Sequence, residues 1–175
     1  MKILKRHLAL SLAALLLSAP AYAINKGQID FADLSAFYGE PKVEVNLSSS
    51  LMNVIGNFAD EEDPDVANIL SNLESVKVRV YKLNGELEKA NSTIDRVSGE
   101  LKTDNWETLV TVNNNEENQK VRIFSKSTLN VIDGVVVMVV SPEKDGGEAI
   151  FINIVGEIDP ENIAKVTEKL NIEIN

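Results

Sequence analysis

Between positions 106 and 158 the chain repeats a strand pattern four times with almost nothing between the repeats, and this constrains the fold more than any other feature. Apolar residues alternate or run together over 106–112, 121–126, 135–140 and 149–158. The connections are Asn113-Asn114-Asn115, Asp133-Gly134 and Asp145-Gly146-Gly147, all of them turn-forming residues. A parallel neighbour would need a crossover of a dozen or more residues, so such short links favour antiparallel neighbours. Val135 to Val140 is apolar on both faces, which places it in the interior of the sheet.

The first half of the chain supplies two further strands and the helices. Val43, Val45 and Leu47 alternate with Glu44 and Asn46, and Val76, Val78 and Val80 alternate with Lys77, Arg79 and Tyr81. Helix-like spacing groups Phe31, Leu34 and Phe37, then Leu51, Ile55, Phe58 and Ala59 behind a Ser48 cap. Asp63-Pro64 opens a helix running to about position 74, with Val66, Ile69, Leu70 and Leu73 as its stripe. Asn84-Gly85 turns into a longer helix lined by Leu87, Ala90, Ile94, Val97 and Leu101, and Asp159-Pro160 starts a last one with Ile163, Val166 and Leu170 inward. The expected class is α+β: a mixed, largely antiparallel sheet of about six strands, helices packed mainly on one face.

The N-terminus reads as a cleavable signal peptide. Lys2, Lys5 and Arg6 precede an apolar run from Leu8 to Leu17, and Ala21-Tyr22-Ala23 matches the small-x-small peptidase site. Cleavage is expected between Ala23 and Ile24, leaving 24–175 as a single domain in the periplasm or outside the cell of a bacterium. The apolar run is about half the 20 residues that a membrane span requires. With no cysteine in the chain, there is no thiol for a bacterial lipid anchor, so no stable membrane insertion is expected after cleavage.

Composition then narrows the chemistry. The chain carries 17 Lys and Arg against 27 Asp and Glu, a net charge of −10. The signal region holds only basic residues, so its removal makes the remainder more acidic still. Nucleic acid and anionic lipid both call for a large positive patch, and neither is expected as a partner. The single histidine, His7, lies in the signal region. Without His or Cys, residues 24–175 exclude Ser-His-Asp and Cys-His catalysis within one chain, together with ordinary zinc, copper and haem ligation. No cofactor and no catalytic residue are assigned. Carboxylate or lysine chemistry and oxygen-ligated calcium or magnesium remain open.

Two clusters invite a functional reading. Asp60, Glu61, Glu62, Asp63 and Asp65 form a dense acidic run, but it lacks the alternating spacing and bidentate Glu of a calcium loop. Acidic residues before a helix are also expected from its dipole, so the run reads as a solvated loop and no metal site is assigned. Lys77, Arg79, Lys120 and Arg122 occupy strand positions that alternate with valine and isoleucine. If the valines face the core, these four make a basic stripe on an open sheet face, a surface for an anionic ligand or an acidic partner. The competing reading is pairing with Glu44 and Glu107 across the sheet. Asn46-Leu47-Ser48 and Asn91-Ser92-Thr93 fit the glycosylation pattern by chance, and Trp106 reads as a core anchor.

Four stretches carry a family likeness: 41–48 (PKVEVNLS), 75–81 (SVKVRVY), Trp106-Glu107 and 153–159 (NIVGEID). In that order and spacing they resemble an exported bacterial family catalogued as a domain of unknown function, number 4252, from about Phe31 to Leu170. The resemblance implies an envelope protein with one compact domain. It brings no catalytic motif, and the lipid anchor of many relatives has no counterpart in a chain without cysteine. The leading expectation is an exported, non-catalytic binding or interaction domain whose partner is an envelope protein or a small ligand. The rivals are a carboxylate-dependent hydrolase or lyase and a structural part of an envelope assembly recruited through a sheet edge.

Overall fold

The computed structural model describes residues 27–31, 33–59, 64–114, 118–129, 131–142 and 146–159. The expected signal peptide, the acidic run at 60–63 and the helix expected after Pro160 lie outside them, as does the side chain of Asp65. The elements in order are α1 (Leu34–Tyr38), β1 (Val43–Ser48), α2 (Ser49–Ala59), α3 (Pro64–Ser71), β2 (Leu73–Lys82) and α4 (Leu87–Thr103). Four strands follow, β3 (Glu107–Asn114), β4 (Gln119–Thr128), β5 (Val131–Ser141) and β6 (Glu148–Ile158). One six-stranded sheet runs β1-β2-β6-β5-β4-β3, and every neighbouring pair is antiparallel. The α+β class expected from the strand spacing is what the chain adopts.

Register joins the six strands into rows, and alternate rows face opposite ways. One row reads Glu44, Arg79, Phe151, Met138, Arg122, Thr111. The row beside it on the other face reads Val45, Val78, Ile152, Val137, Ile123, Val110. The first face carries the core. Tyr81, Phe124, Phe151, Met138, Val136, Val140 and Ala149 are fully buried on it beneath Ala90, Ile94 and Leu101 of α4. Phe31 and Leu34 extend the cover, and Tyr38 packs its ring 5.1 Å from Tyr81 and 5.9 Å from Phe151.

A buried asparagine fastens the lead-in to this face. Asn153 is fully buried in β6. Its carboxamide donates to the carbonyls of Gly27 (2.9 Å) and Val135 (3.2 Å) and accepts from the Ile29 amide (3.0 Å). Without it the Ile29 amide and the Gly27 carbonyl would lose this partner, at a cost typical of buried polar groups. The close approach leaves no room for a side chain: a Cβ on Gly27 would lie 2.0 Å from the Asp133 carbonyl oxygen, and one on Gly134 2.4 Å from that of Gly27. This corrects the reading of Asp133-Gly134 as a turn. The pair lies inside β5, where glycine serves contact rather than reversal, and the chain turns at Leu129 with φ 52°.

The helical hairpin departs from expectation as well. Leu51, Ile55 and Phe58 do share a face of α2, but it is exposed, Phe58 by 78%, whereas Met52 is fully buried. The close approach of α2 to α3 is made elsewhere, at Gly56, whose added Cβ would stand 3.5 Å from the Ala67 carbonyl. The second helix ends at Ser71, and Leu73 begins β2.

Candidate functional site

The four basic residues singled out from sequence do share one face, but it is the face that carries α4. The expectation that Val76, Val78, Val80, Val121 and Ile123 point to the core is therefore corrected. Bulk decides the matter. Tyr81, Phe124, Phe151 and Met138 project to the same side as the cations, and those large side chains gain most from cover. Nor do the cations form one stripe. Lys77 and Arg79 lie on β2, Lys120 and Arg122 on β4, with β6 and β5 between them. At about 4.8 Å per strand the two pairs stand roughly 14 Å apart, one on each flank of the buried aromatic strip.

Ion pairs absorb three of the four. Arg79 bridges to Glu44 at 2.9 Å and donates to the Asn46 side chain at 3.1 Å, so the alternative reading of a cross-strand pair with Glu44 describes it. On the other flank, Lys120 meets Asp95 of α4 at 2.7 Å. Arg122 stands 3.8 Å from the same carboxylate and donates to the Asn113 side chain at 2.7 Å and the Val112 carbonyl at 2.9 Å. Glu107, the other expected partner, lies instead opposite Ser125. Lys77 faces Asn46 and Asn153 in register and makes no ion pair among the described residues. The cations thus border the covered core, their stems on apolar surface and their heads at its rim.

A shallow cavity of about 280 Å³ lies between the lead-in and α4, walled by Ile29, Asp30, Asp33, Arg96, Glu100 and Asp104 among others. Arg96 is committed there, to Glu100 at 2.6 Å and to the Phe37 ring with its centroid 4.7 Å away. Among the described residues, no group of three or more Asp or Glu is placed to hold a metal ion.

The surface that sequence reasoning misassigned is the other face. Its central row is Val45, Val78, Ile152, Val137, Ile123 and Val110. A second row reads Val43, Val80, Ile150, Val139, Val121, Val112, and the third begins Leu47, Val76, Ile154, Val135. Of these sixteen aliphatic positions only Val135 is buried, at 7% exposure; the others are half-buried or, at Val43 and Val112, exposed. A signal was present in the sequence: the Tyr, Phe and Met of these strands all fall on one alternation, joined there by Val136 and Val140, whereas the other alternation is almost wholly Val and Ile.

The profile of the family described as a domain of unknown function, DUF4252, matches residues 37–166. The chain belongs to the DUF4252 family. The match takes in all six strands and both sheet faces of this DUF4252 domain and begins after the Gly27–Phe31 lead-in. Among curated proteins none matches the chain.

Proposed function

We propose that this DUF4252 protein is exported across the bacterial inner membrane and acts in the envelope as a non-catalytic binding domain, with the aliphatic sheet face as its recognition surface. One observation carries the reading. Two full rows and four positions of a third, all valine, isoleucine or leucine, stay at least partly exposed except at Val135, while the alternate residues of the central strands, Val136, Met138, Val140, Ala149 and Phe151, are closed. Contiguous apolar surface of several hundred Å² is uncommon on monomers and marks places where something else packs. The ligand chemistry that suits it is an apolar protein surface, because flat β-branched rows present few directional polar groups. The carboxylate chemistry considered from sequence gains nothing from the fold: Glu44, Asp95, Glu100 and Glu148 are each engaged with a cation.

Export and binding are tested together on protein recovered from the periplasm. Its intact mass should correspond to a chain beginning at Ile24. Chemical crosslinking in the envelope fraction should give one defined adduct that Val137→Lys abolishes and Asp95→Asn leaves in place. An adduct insensitive to Val137→Lys would overturn the assignment of the surface, and a mass retaining residues 1–23 would overturn export with cleavage.

A further inference from the structure

We propose that the partner of the aliphatic sheet face is a second copy of this chain, the two sheets stacked face to face about a two-fold axis. The inference rests on the binding reading of that face and names its occupant.

Extent is the first argument. Adjacent strands are about 4.8 Å apart and residues two apart on a strand about 6.8 Å. Six strands and three rows, with a side-chain margin of about 3 Å and the polar corner of the third row left out, span about 550 Å². Two copies would bury about 1,100 Å² together, above the roughly 1,000 Å² that a specific protein interface needs. A single helix, about 10 Å across, would leave more than half of the roughly 24 Å breadth of the strands open. A second sheet of the same breadth covers all of it, at the spacing of about 10 Å found between the inner faces of β-sandwiches.

Charge is the second argument. Every strand contributes Val or Ile to the first two rows, and the third stays uncharged from Leu47 through Val135 to Ser125. Charge returns at the border, where Lys82 and Glu148 face each other in register with opposite signs and Glu107 stands opposite Ser125. An apolar middle with a polar rim is the anatomy of a protein interface. The net charge of −10 therefore lies off the contact. Stacking holds the outer faces of the two sheets more than about 10 Å apart, beyond the screening length of about 8 Å at physiological salt.

Symmetry is the third. A two-fold contact requires a patch that is its own complement. The middle of this one falls between β6 and β5, where Ile152 and Val137 stand in register. An axis there sets that pair of one copy against the same pair of the other, and near-uniform rows of Val and Ile meet themselves without a mismatch of size or sign.

Sedimentation equilibrium of the purified mature chain tests this in the absence of any other protein. The apparent mass should climb toward twice that of one chain as concentration rises. Val137→Lys should hold it at the single-chain mass, and Asp95→Asn, on the other face, should leave the dimer intact. In an equal mixture of isotope-labelled and unlabelled parent chains, filtered NOEs between copies should appear at Val137 and Ile152 and be absent at Val136. That measurement decides the matter even if the lysine variant does not fold. A single-chain mass at every concentration would overturn the proposal, as would intermolecular NOEs confined to β1, β3 or the helices. A monomeric purified chain that still gives the Val137-dependent adduct in the envelope would remove the second copy as partner and leave the binding reading standing.

Discussion

Along β5, Val136, Met138 and Val140 are fully buried, while Val137 and Val139, one residue away on the same strand, stay half-exposed. The same alternation divides β6, where Phe151 and Asn153 are closed and Ile150, Ile152 and Ile154 are not. One sheet thus presents two apolar faces of different make. The face under α4 is uneven, built from Phe, Tyr and Met with a polar pin, and its shape is filled by particular side chains of the helix and lead-in. The other is nearly uniform Val and Ile, a flat surface that any apolar layer of the right length fits. The difference teaches that hydrophobicity alone does not mark the core here; side-chain bulk and specific fastening do.

The sharpest way to break this comparison is to remove bulk from each face in turn. Phe151→Ala opens a cavity beneath Phe31, Tyr38 and Tyr81, whose rings surround it, and should cost about 3–5 kcal/mol in denaturant unfolding. Ile152→Ala, on the next residue but the other face, should cost about 1–2 kcal/mol, since a half-exposed side chain has less burial to lose. Reversed magnitudes would mean that the aliphatic face is the true core.

Asn153→Ala comes next. It leaves the Ile29 amide and the Gly27 carbonyl without their partner and frees the lead-in from the sheet. The expected loss is about 3 kcal/mol, with hydrogen exchange of the Ile29 amide rising ahead of global unfolding. An unchanged exchange rate at Ile29 would show that the lead-in is held by packing alone.

The closest control compares identical residues. Val136→Ala should cost about 2 kcal/mol and Val137→Ala about half of that. Equal costs would mean that the two faces are equally closed in solution, which sharpens the comparison in favour of a cover on the aliphatic side.

How much of this was legible beforehand follows from the same contrast. Alternation located all six strands, because period two is written locally in each of them, and short links made them antiparallel. The stripe Ala90, Ile94, Leu101 gave α4 its inner side correctly. Alternation does not say which side the helix takes when both sets contain apolar residues. In β2 the choice lay between three valines and a set containing Lys77, Arg79 and Tyr81, and a charge count favours the valines. The buried side is the one with Tyr81, because the cations sit at the margins of the core, reach its rim and pair there. That arrangement depends on strand order, and the order β1-β2-β6-β5-β4-β3 rests on a long-range join between β2 and β6 for which no local pattern exists. The close contact of Gly27 with Gly134 was invisible for the same reason: 107 positions separate them, and the Asp133-Gly134 pair alone looks like a turn.

A smaller effect probes the border between the faces. Asp95 serves both Lys120 and Arg122, yet its side chain is 58% exposed. Asp95→Asn should therefore cost less than about 1 kcal/mol, and the cost should shrink further in high salt. A larger, salt-insensitive loss would make this flank part of the core rather than its rim. Inorganic phosphate that stabilises the Asp95→Asn chain but not the parent would reveal an anion site that the carboxylate normally fills.

The smallest effect appears only in alkali and belongs to the covered face alone. Burial pushes the Tyr38 phenol above its ordinary value of 10.0, while a hydrogen bond with Thr93 and the charge of Arg96 pull the other way. Since the folded state favours the protonated, neutral phenol, the unfolded chain ionises first as pH rises. The associated stability is fully present below about pH 10 and is lost as pH climbs through the higher folded value. Tyr38→Phe removes the ionisable group but keeps the ring over Tyr81 and Phe151. Its denaturation midpoint should fall less steeply than the parent's between about pH 9 and 11. Identical slopes would mean that the Tyr38 hydroxyl is as well solvated in the fold as outside it, and that the covered face is open to water at α1.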